Sequence, residues 1–229
     1  FNEVIKLLPH ALQLGFLKLL KGSPIRYIAD KYGYRFDQYA PYEVLCNDFL
    51  SYENLLALKR VEDTLEKFYN SGAFEKSCAY AAKQFSTPFD FYLELANYMH
   101  NQNPECRPYS RRELYNVLYE FYTNLQGNNE VFCEILKFDF ILNNQGAQLP
   151  YWVIYRGDKE FYKLCTDWLR QPENLECFGL CKHTKMADIT KDFRFERFLY
   201  DVLDDNNKGE NTLLFDYRRK CAKKVLEKA

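Results

Sequence analysis

The sequence contains little glycine, histidine, methionine and tryptophan, with nine, three, two and two residues in a chain of 229. No glycine-rich phosphate loop is present, which excludes the common nucleotide-binding motifs. None of the histidines has a nucleophile and a carboxylate at a recognisable spacing, so no catalytic triad is predicted. Taken alone, the sequence shows no complete active site.

Neither sign of charge is in excess, and long apolar runs are absent. The 31 basic and 32 acidic side chains give a formal net charge of −1, so no global field attracts nucleic acid or an anionic membrane. No apolar run approaches the ~18 residues of a membrane span, and the first residues lack the pattern of a signal peptide. We therefore expect neither a membrane nor a nucleic acid as partner.

The eight cysteines are scattered along the chain and form no compact disulfide framework. The sequence also lacks an Asn-x-Ser/Thr glycosylation site. A chain of this length can bury a core without disulfides. These features favour a reducing, cytoplasmic location.

Aromatic residues are abundant, with 19 Tyr and 19 Phe. A tyrosine ring fills volume in a core while its hydroxyl reaches water, so this composition is typical of closely packed helices. The alternative is an aromatic-lined binding groove.

Apolar residues recur at helical spacing in segments that begin near Pro24, Ser51, Phe74, Pro88, Ser110, Glu130 and Asp158.

Two of these segments are the most regular. Ser51 is placed to cap a helix that ends at Asn70-Ser71-Gly72, and residues 130–142 are apolar almost all round, which predicts a central helix. Between them, residues 103–109 contain two prolines and indicate a subdomain break. Residues 35–48 show no clean period and are interpreted as an ordered connection.

Near the end of the chain the apolar period changes to two. The alternation around Phe198 and Phe215, separated by the polar stretch LDDNNKGEN, predicts an antiparallel hairpin. A basic tail helix is predicted from Arg218. The fold class is therefore mainly α, with a small antiparallel hairpin near the C-terminus.

The first residues do not fit this helical pattern. Residues 12–20 are mostly apolar on both faces, as in a strand inside a parallel sheet, yet the chain offers few partner strands. A short amphipathic stretch precedes them, and the sequence starts at Phe1. We therefore expect a piece of a longer protein. Residues 1–24 are interpreted as the last helix and strand of a domain of alternating strands and helices, and residues 25–229 as a helical domain.

Two groups of residues are candidates for chemistry. Cys177, Cys181 and His183 lie close together and suit zinc, but a fourth ligand is missing, and the alternative is a set of small buried side chains. Asp139 lies on the apolar stripe of the central helix, so its carboxylate must be paired, hydrogen-bonded or neutral. It is interpreted as either a perturbed acid or base, or an organiser of the core.

Four stretches of the sequence carry a family resemblance. LQLGFLKLLKGSPI, followed by YAPYEVLCNDFLSYENLLALKRVEDTLEKFYNSGAF, resembles the end of the barrel and the start of the C-terminal region in bacterial cobalamin-binding-type radical S-adenosylmethionine (radical SAM) proteins. ILKFDFILNNQGAQLP and LLFDYRRK resemble the uncharacterised domain that closes one subgroup of those chains.

The resemblance implies a parent enzyme that carries cobalamin, S-adenosylmethionine and a four-iron four-sulfur cluster. The three-cysteine cluster motif lies upstream in that family, and Cys177 with Cys181 cannot replace it, because Thr184 stands where the third cysteine would fall. Loops that leave the C-terminal ends of barrel strands line the active face, so Gly22 and Ser23 are the residues expected to approach the cofactor.

These expectations lead to one functional prediction and two alternatives. The chain is predicted to be inactive alone and to act as an accessory domain that packs on the parent's barrel and covers or selects an unknown substrate. The first alternative is a helical module that binds protein or RNA through a tyrosine-rich groove and the basic residues 218–224. The second is the zinc site.

Overall fold

The computed structural model describes residues 1–180 and 186–226, without the side chains of residues 186–188. It divides into two compact units, Phe1–Ser110 and Arg111–Ala229. Within the described residues the fold is rich in helices and has a three-stranded antiparallel sheet near the C-terminus. The coarse fold class predicted from the sequence is therefore confirmed, and the barrel remnant stays a prediction.

The first unit begins with short elements. Helix α1 (Asn2–Ile5) is followed by residues 12–20, helix α2 (Pro24–Tyr27) and a 3-10 helix (Ala29–Tyr32). Strands β1 (Arg35–Phe36) and β2 (Val44–Cys46) then pair antiparallel, in a segment that showed no period in the sequence. Leu19, Ala29 and Val44 form the small core beneath these elements.

Residues 12–20 do not form the predicted strand in this chain. Their contact with another strand-like segment is an isolated antiparallel bridge between Lys18 and Glu43, where the Leu19 N–H donates to the Tyr42 carbonyl at 2.8 Å. Leu12 and Leu19 are buried, but Leu17 and Leu20 are exposed. Apart from this bridge the segment has no regular secondary structure, and it leaves apolar side chains in solvent because one bridge cannot cover two faces.

Three helices complete the first unit: α3 (Tyr52–Phe68), α4 (Glu75–Ala82) and α5 (Pro88–Gln102). The Ser51 hydroxyl accepts from the Asn54 N–H, and the Thr87 hydroxyl accepts from the Asp90 N–H, so both long helices have the side-chain caps that their sequences indicate. Helices α3 and α5 pack on each other. Their buried faces contain Val61, Leu65, Phe68, Phe91, Leu95 and Met99.

The second unit contains helices α6 (Arg111–Gln126), α7 (Glu130–Asn143), α8 (Lys159–Leu169), α9 (Pro172–Cys177) and α10 (Met186–Asp192). Helix α7 is buried around most of its circumference, as its apolar sequence predicted, so it is the central helix of this unit. Tyr122 on α6 stacks on Phe132, and Phe138 packs against Phe215 of the sheet. The Asp158 carboxylate caps α8 by accepting from the Phe161 N–H at 2.7 Å.

The sheet of the second unit has three strands in the order β3 (Phe193–Tyr200), β4 (Lys208–Asp216) and β5 (Cys221–Val225). The hairpin prediction is confirmed by the antiparallel pairing of β3 with β4, in which Phe195 faces Leu214. The predicted tail helix is wrong, because residues 221–225 form β5, which pairs with β4. Pairing satisfies the backbone groups at that edge of β4 and buries Val225 in the core.

A search of the described residues finds no helix that has both the length and the apolar character needed to cross a bilayer.

Candidate functional site

Gly22 and Ser23, the residues expected to approach a cofactor, lie in the turn before α2. Gly22 has a φ of +82°, which favours glycine, and a Cβ there would meet nothing within 4 Å. The Ser23 hydroxyl donates to the Leu20 carbonyl at 2.8 Å. Glycine is therefore needed here for its backbone conformation, and a role toward a cofactor stays a prediction.

The proposed zinc ligands fall only partly within the structure. Cys177 is an exposed free thiol at the end of α9, whereas Cys181 and His183 lie outside the described residues. Across residues 1–180 and 186–226, no group of three or more His, Cys, Asp or Glu side chains is placed to hold a metal ion.

Asp139 is 2% exposed in the middle of α7. Its backbone carbonyl accepts from the Tyr115 hydroxyl at 3.1 Å and from the Asn143 amide at 2.9 Å. Burial, and secondarily the nearby Asp139 carboxylate, raise the pKa of Tyr115 far above its usual value. This position on α7 therefore links helices α6 and α7 in the core of the second unit.

A buried charge network that the sequence did not predict joins α7 to β3. Lys137 and Glu196 are each 1% exposed, and the Lys137 ammonium lies 3.2 Å from the Glu196 carboxylate. The same ammonium donates to the Arg197 carbonyl at 2.6 Å. Glu134, one turn earlier on α7, accepts from the Leu199 N–H at 2.9 Å. We name Glu134, Lys137, Arg194 and Glu196 the α7/β3 charge network.

Burial perturbs the charged groups of this network in opposite directions. It lowers the pKa of Lys137, against the attraction of Glu196 and Glu134. It raises the pKa of Glu134, against the attraction of Lys137, the Leu199 N–H and Arg156. Perturbed titrating groups mark candidate functional sites, although structural ion pairs perturb pKa values as well.

Arg194 connects the network to a cavity of about 420 Å³ in the second unit. Its guanidinium lies 3.1 Å from Glu196, and its side chain remains 21% exposed. The Tyr217 hydroxyl is buried there, and burial raises its pKa against the opposing effect of the nearby Arg194 guanidinium. The cavity is also lined by Gln145, Tyr162, Thr166, Phe193 and Phe195.

The arrangement suits recognition of a ligand. Aromatic walls, one guanidinium and a phenol hydroxyl can hold a molecule with an apolar body and a polar acceptor group. Lys137 and Glu196 are almost fully buried and do not line the cavity. Glu196 pairs with Arg194 and with Lys137, so this pair positions the guanidinium.

Three of the five basic side chains in residues 218–224 have acidic partners within the second unit. Arg218 pairs with Asp216 at 3.2 Å and lies over the Phe193 ring, and Arg219 lies 3.8 Å from the same carboxylate. Lys224 pairs with Asp201 and Asp204. This pairing reduces the positive charge on which the RNA-binding alternative depends.

One signal in the sequence could have revealed the charge network. A helix that is apolar almost all round has no solvated face for Glu134 and Lys137, so their burial follows from the same pattern that placed Asp139 in the core. Glu196, which pairs with Lys137, stands in strand β3. Lys137 and Glu196 lie 59 positions apart in the sequence, so no local pattern predicts that they pair.

Comparison with known proteins gives one family match. The protein family described as "Protein of unknown function (DUF4080)" matches residues 30–215, which include most of both units. No curated protein and no solved structure matches the chain.

Proposed function

The chain belongs to the DUF4080 family, and from that premise we propose that it is a non-catalytic accessory domain of a radical SAM enzyme. In this role it packs on the barrel of that enzyme and helps to cover or select the substrate. The cluster, S-adenosylmethionine and cobalamin are then bound by other parts of the enzyme, since this sequence lacks the three-cysteine motif.

The observation that carries the proposal is the apolar surface of residues 7–20. Leu7 and Leu8 are each 80% exposed, and Leu17 and Leu20 are 44% and 54% exposed. Exposed leucines are ordinary when they are scattered singly, but several within one short segment indicate an interaction surface. Full burial of a leucine contributes roughly 1.5–3 kcal/mol, so docking of this segment on a second domain is favourable.

The resemblance of residues 12–74 to radical SAM proteins supports a barrel as the partner of this segment. The segment makes one isolated bridge within this chain and keeps exposed leucines, so it is available to pack on the edge of a barrel sheet. The cavity beside Arg194 supports the part of the proposal that concerns the substrate, because it offers a binding site on a domain that carries no catalytic motif of its own.

Reading the gene upstream of the Phe1 codon tests the proposal. A Cys-x-x-x-Cys-x-x-Cys motif in frame, within alternating βα pattern, would support it, and translation that starts just before Phe1 would contradict it. Anaerobic reconstitution of the isolated chain with iron and sulfide is the second test. We expect no cluster absorbance, and a stoichiometric cluster on this chain would overturn its non-catalytic role.

A further inference from the structure

A groove in the first unit is separate from the surface and the cavity used above. It lies between helices α3 and α5, is closed at one end by residues 103–109, and encloses about 700 Å³. This volume is within the range of small-molecule sites. All of its lining residues belong to the unit Phe1–Ser110.

The lining of this groove is basic in a chain that is nearly neutral. Four basic side chains and one carboxylate face it: Lys59, Arg60, Lys67, Arg107 and Asp63. Two of the cations already have partners, since Lys59 lies 2.8 Å from Glu43 and Lys67 pairs with Asp63. The remaining positive charge belongs to Arg60 and Arg107, and the His100 imidazole lines the same groove.

Arg60 is the distinctive member of the lining. Its Nε is buried and has no hydrogen-bond partner within the part of the chain that the structure describes. A buried guanidinium N–H without an acceptor is unfavourable, because protein groups have not replaced the water it lost. The same guanidinium lines the groove, so an oxyanion there would pair with its charge, and the planar group suits a phosphate or carboxylate.

The rest of the groove is preformed and apolar. Leu56, Ala96 and Met99 form its floor. The Asn103 amide donates to the Arg107 carbonyl at 2.7 Å and its side-chain oxygen accepts from the Arg107 N–H at 3.2 Å, which holds the closing loop in place. A ligand would therefore meet both cationic and apolar side chains in this groove.

We propose that this groove binds a small organic oxyanion, with its phosphate or carboxylate group held by Arg60, His100 and Arg107 and its apolar part resting on Met99. The site is independent of the radical enzyme proposed above, and either proposal can fail alone.

Calorimetric titration of the whole chain with ADP, pyrophosphate and citrate tests the site. We expect saturable binding of at least one probe, and Arg60→Gln to weaken it by about tenfold or more, a factor that corresponds to ~1.4 kcal/mol. Arg35→Gln is the matched control, because it removes the same charge from an exposed position of the same unit, and it should change the affinity less than about twofold. If Arg60→Gln does not fold, the exposed Arg107→Gln replaces it.

Alkylation of cysteines provides a readout that locates the ligand. Cys106 lines the groove and is exposed, whereas Cys177 is exposed in the second unit. At saturating probe, we expect the rate of iodoacetamide modification to fall at Cys106 and to stay unchanged at Cys177. Absence of saturable binding by all three probes would overturn the proposal. Equal weakening by Arg60→Gln and Arg35→Gln, or equal protection of both thiols, would also overturn it.

Discussion

The ammonium group of Lys137 is buried, yet it is closely surrounded by acceptors. It contacts the Glu196 carboxylate and the Arg197 carbonyl, and it lies 4.5 Å from the centre of the Phe198 ring. A charge in a protein interior is stable only with such partners, and removing one partner leaves the other unpaired. The α7/β3 charge network therefore fixes the helix against the strand, and through Arg194 it fixes the wall of the cavity.

We predict that Lys137→Ala lowers the free energy of unfolding by about 3 kcal/mol, because it removes one of the two cations that pair with the buried Glu196 and leaves the carboxylate with Arg194. Urea denaturation followed by circular dichroism measures this change. Lys163→Ala, at an exposed position of α8, is the control and should change the free energy by less than about 0.5 kcal/mol. The double variant Lys137→Met with Glu196→Leu should recover most of the loss. Equal effects of Lys137→Ala and the control would contradict the prediction.

Glu134 gives a prediction for pH. Burial raises the pKa of this carboxyl above its usual value of 4.5, so the folded state holds its proton more tightly than the unfolded state does. The contribution of Glu134 to stability is therefore full below pH 4.5 and is lost as pH rises through the raised pKa.

Glu134→Gln removes this titration and keeps an oxygen that accepts from the Leu199 N–H. We expect the stability of the Gln variant relative to the native chain to increase as pH rises above about 4.5 and then to level off. Unfolding by urea at a series of pH values measures the difference. A difference that falls with rising pH would mean that the cations around Glu134 outweigh its burial.

Among the elements of the fold, helix α3 tests how much a single cap contributes. The Ser51 hydroxyl accepts from the Asn54 N–H at 3.2 Å. We predict that Ser51→Ala lowers the free energy of unfolding by about 1 kcal/mol, since the N–H at the helix start then has no side-chain acceptor. Thermal denaturation measures this change. Ser86→Ala, at an exposed position just before the cap of α5, is the control and should have almost no effect. Equal shifts for the two variants would show that the cap does not stabilise α3.

Helices were predictable from the sequence because their signals are local. The apolar period and the caps at Ser51 and Asp158 each occupy one or two turns of chain, and both helices begin where these residues indicate. Strand β5 was not predictable in this way. Residues 218–224 are mostly basic, which resembles the end of a helix, and pairing with β4 decides their conformation through contacts outside the segment.

The same difference applies to the candidate sites. Asp139 was found because it lies on the stripe of its own helix, whereas Lys137 and Glu196 meet only after α7 packs on the sheet. The groove beside Arg60 was also missed. The sequence of α3 alone indicates that its basic residues face solvent, and only the fold shows that α5 and residues 103–109 form a groove with them. Residues that the fold brings together from distant segments show no characteristic spacing in the sequence.

For the whole molecule, the central question is whether the apolar surface of residues 7–20 serves a second domain. We predict that Leu17→Asp changes the free energy of unfolding of the isolated chain by less than about 1 kcal/mol, because exposed positions tolerate polar residues. In the longer protein that the proposal requires, the same substitution should sharply increase proteolysis near residues 12–20, since a carboxylate cannot be buried there unpaired. Leu125→Asp, at a position 51% exposed on α6, is the control and should have little effect in either protein. Equal protease sensitivity of the two variants in the longer protein would mean that residues 7–20 are not buried against a second domain, and it would contradict the proposal.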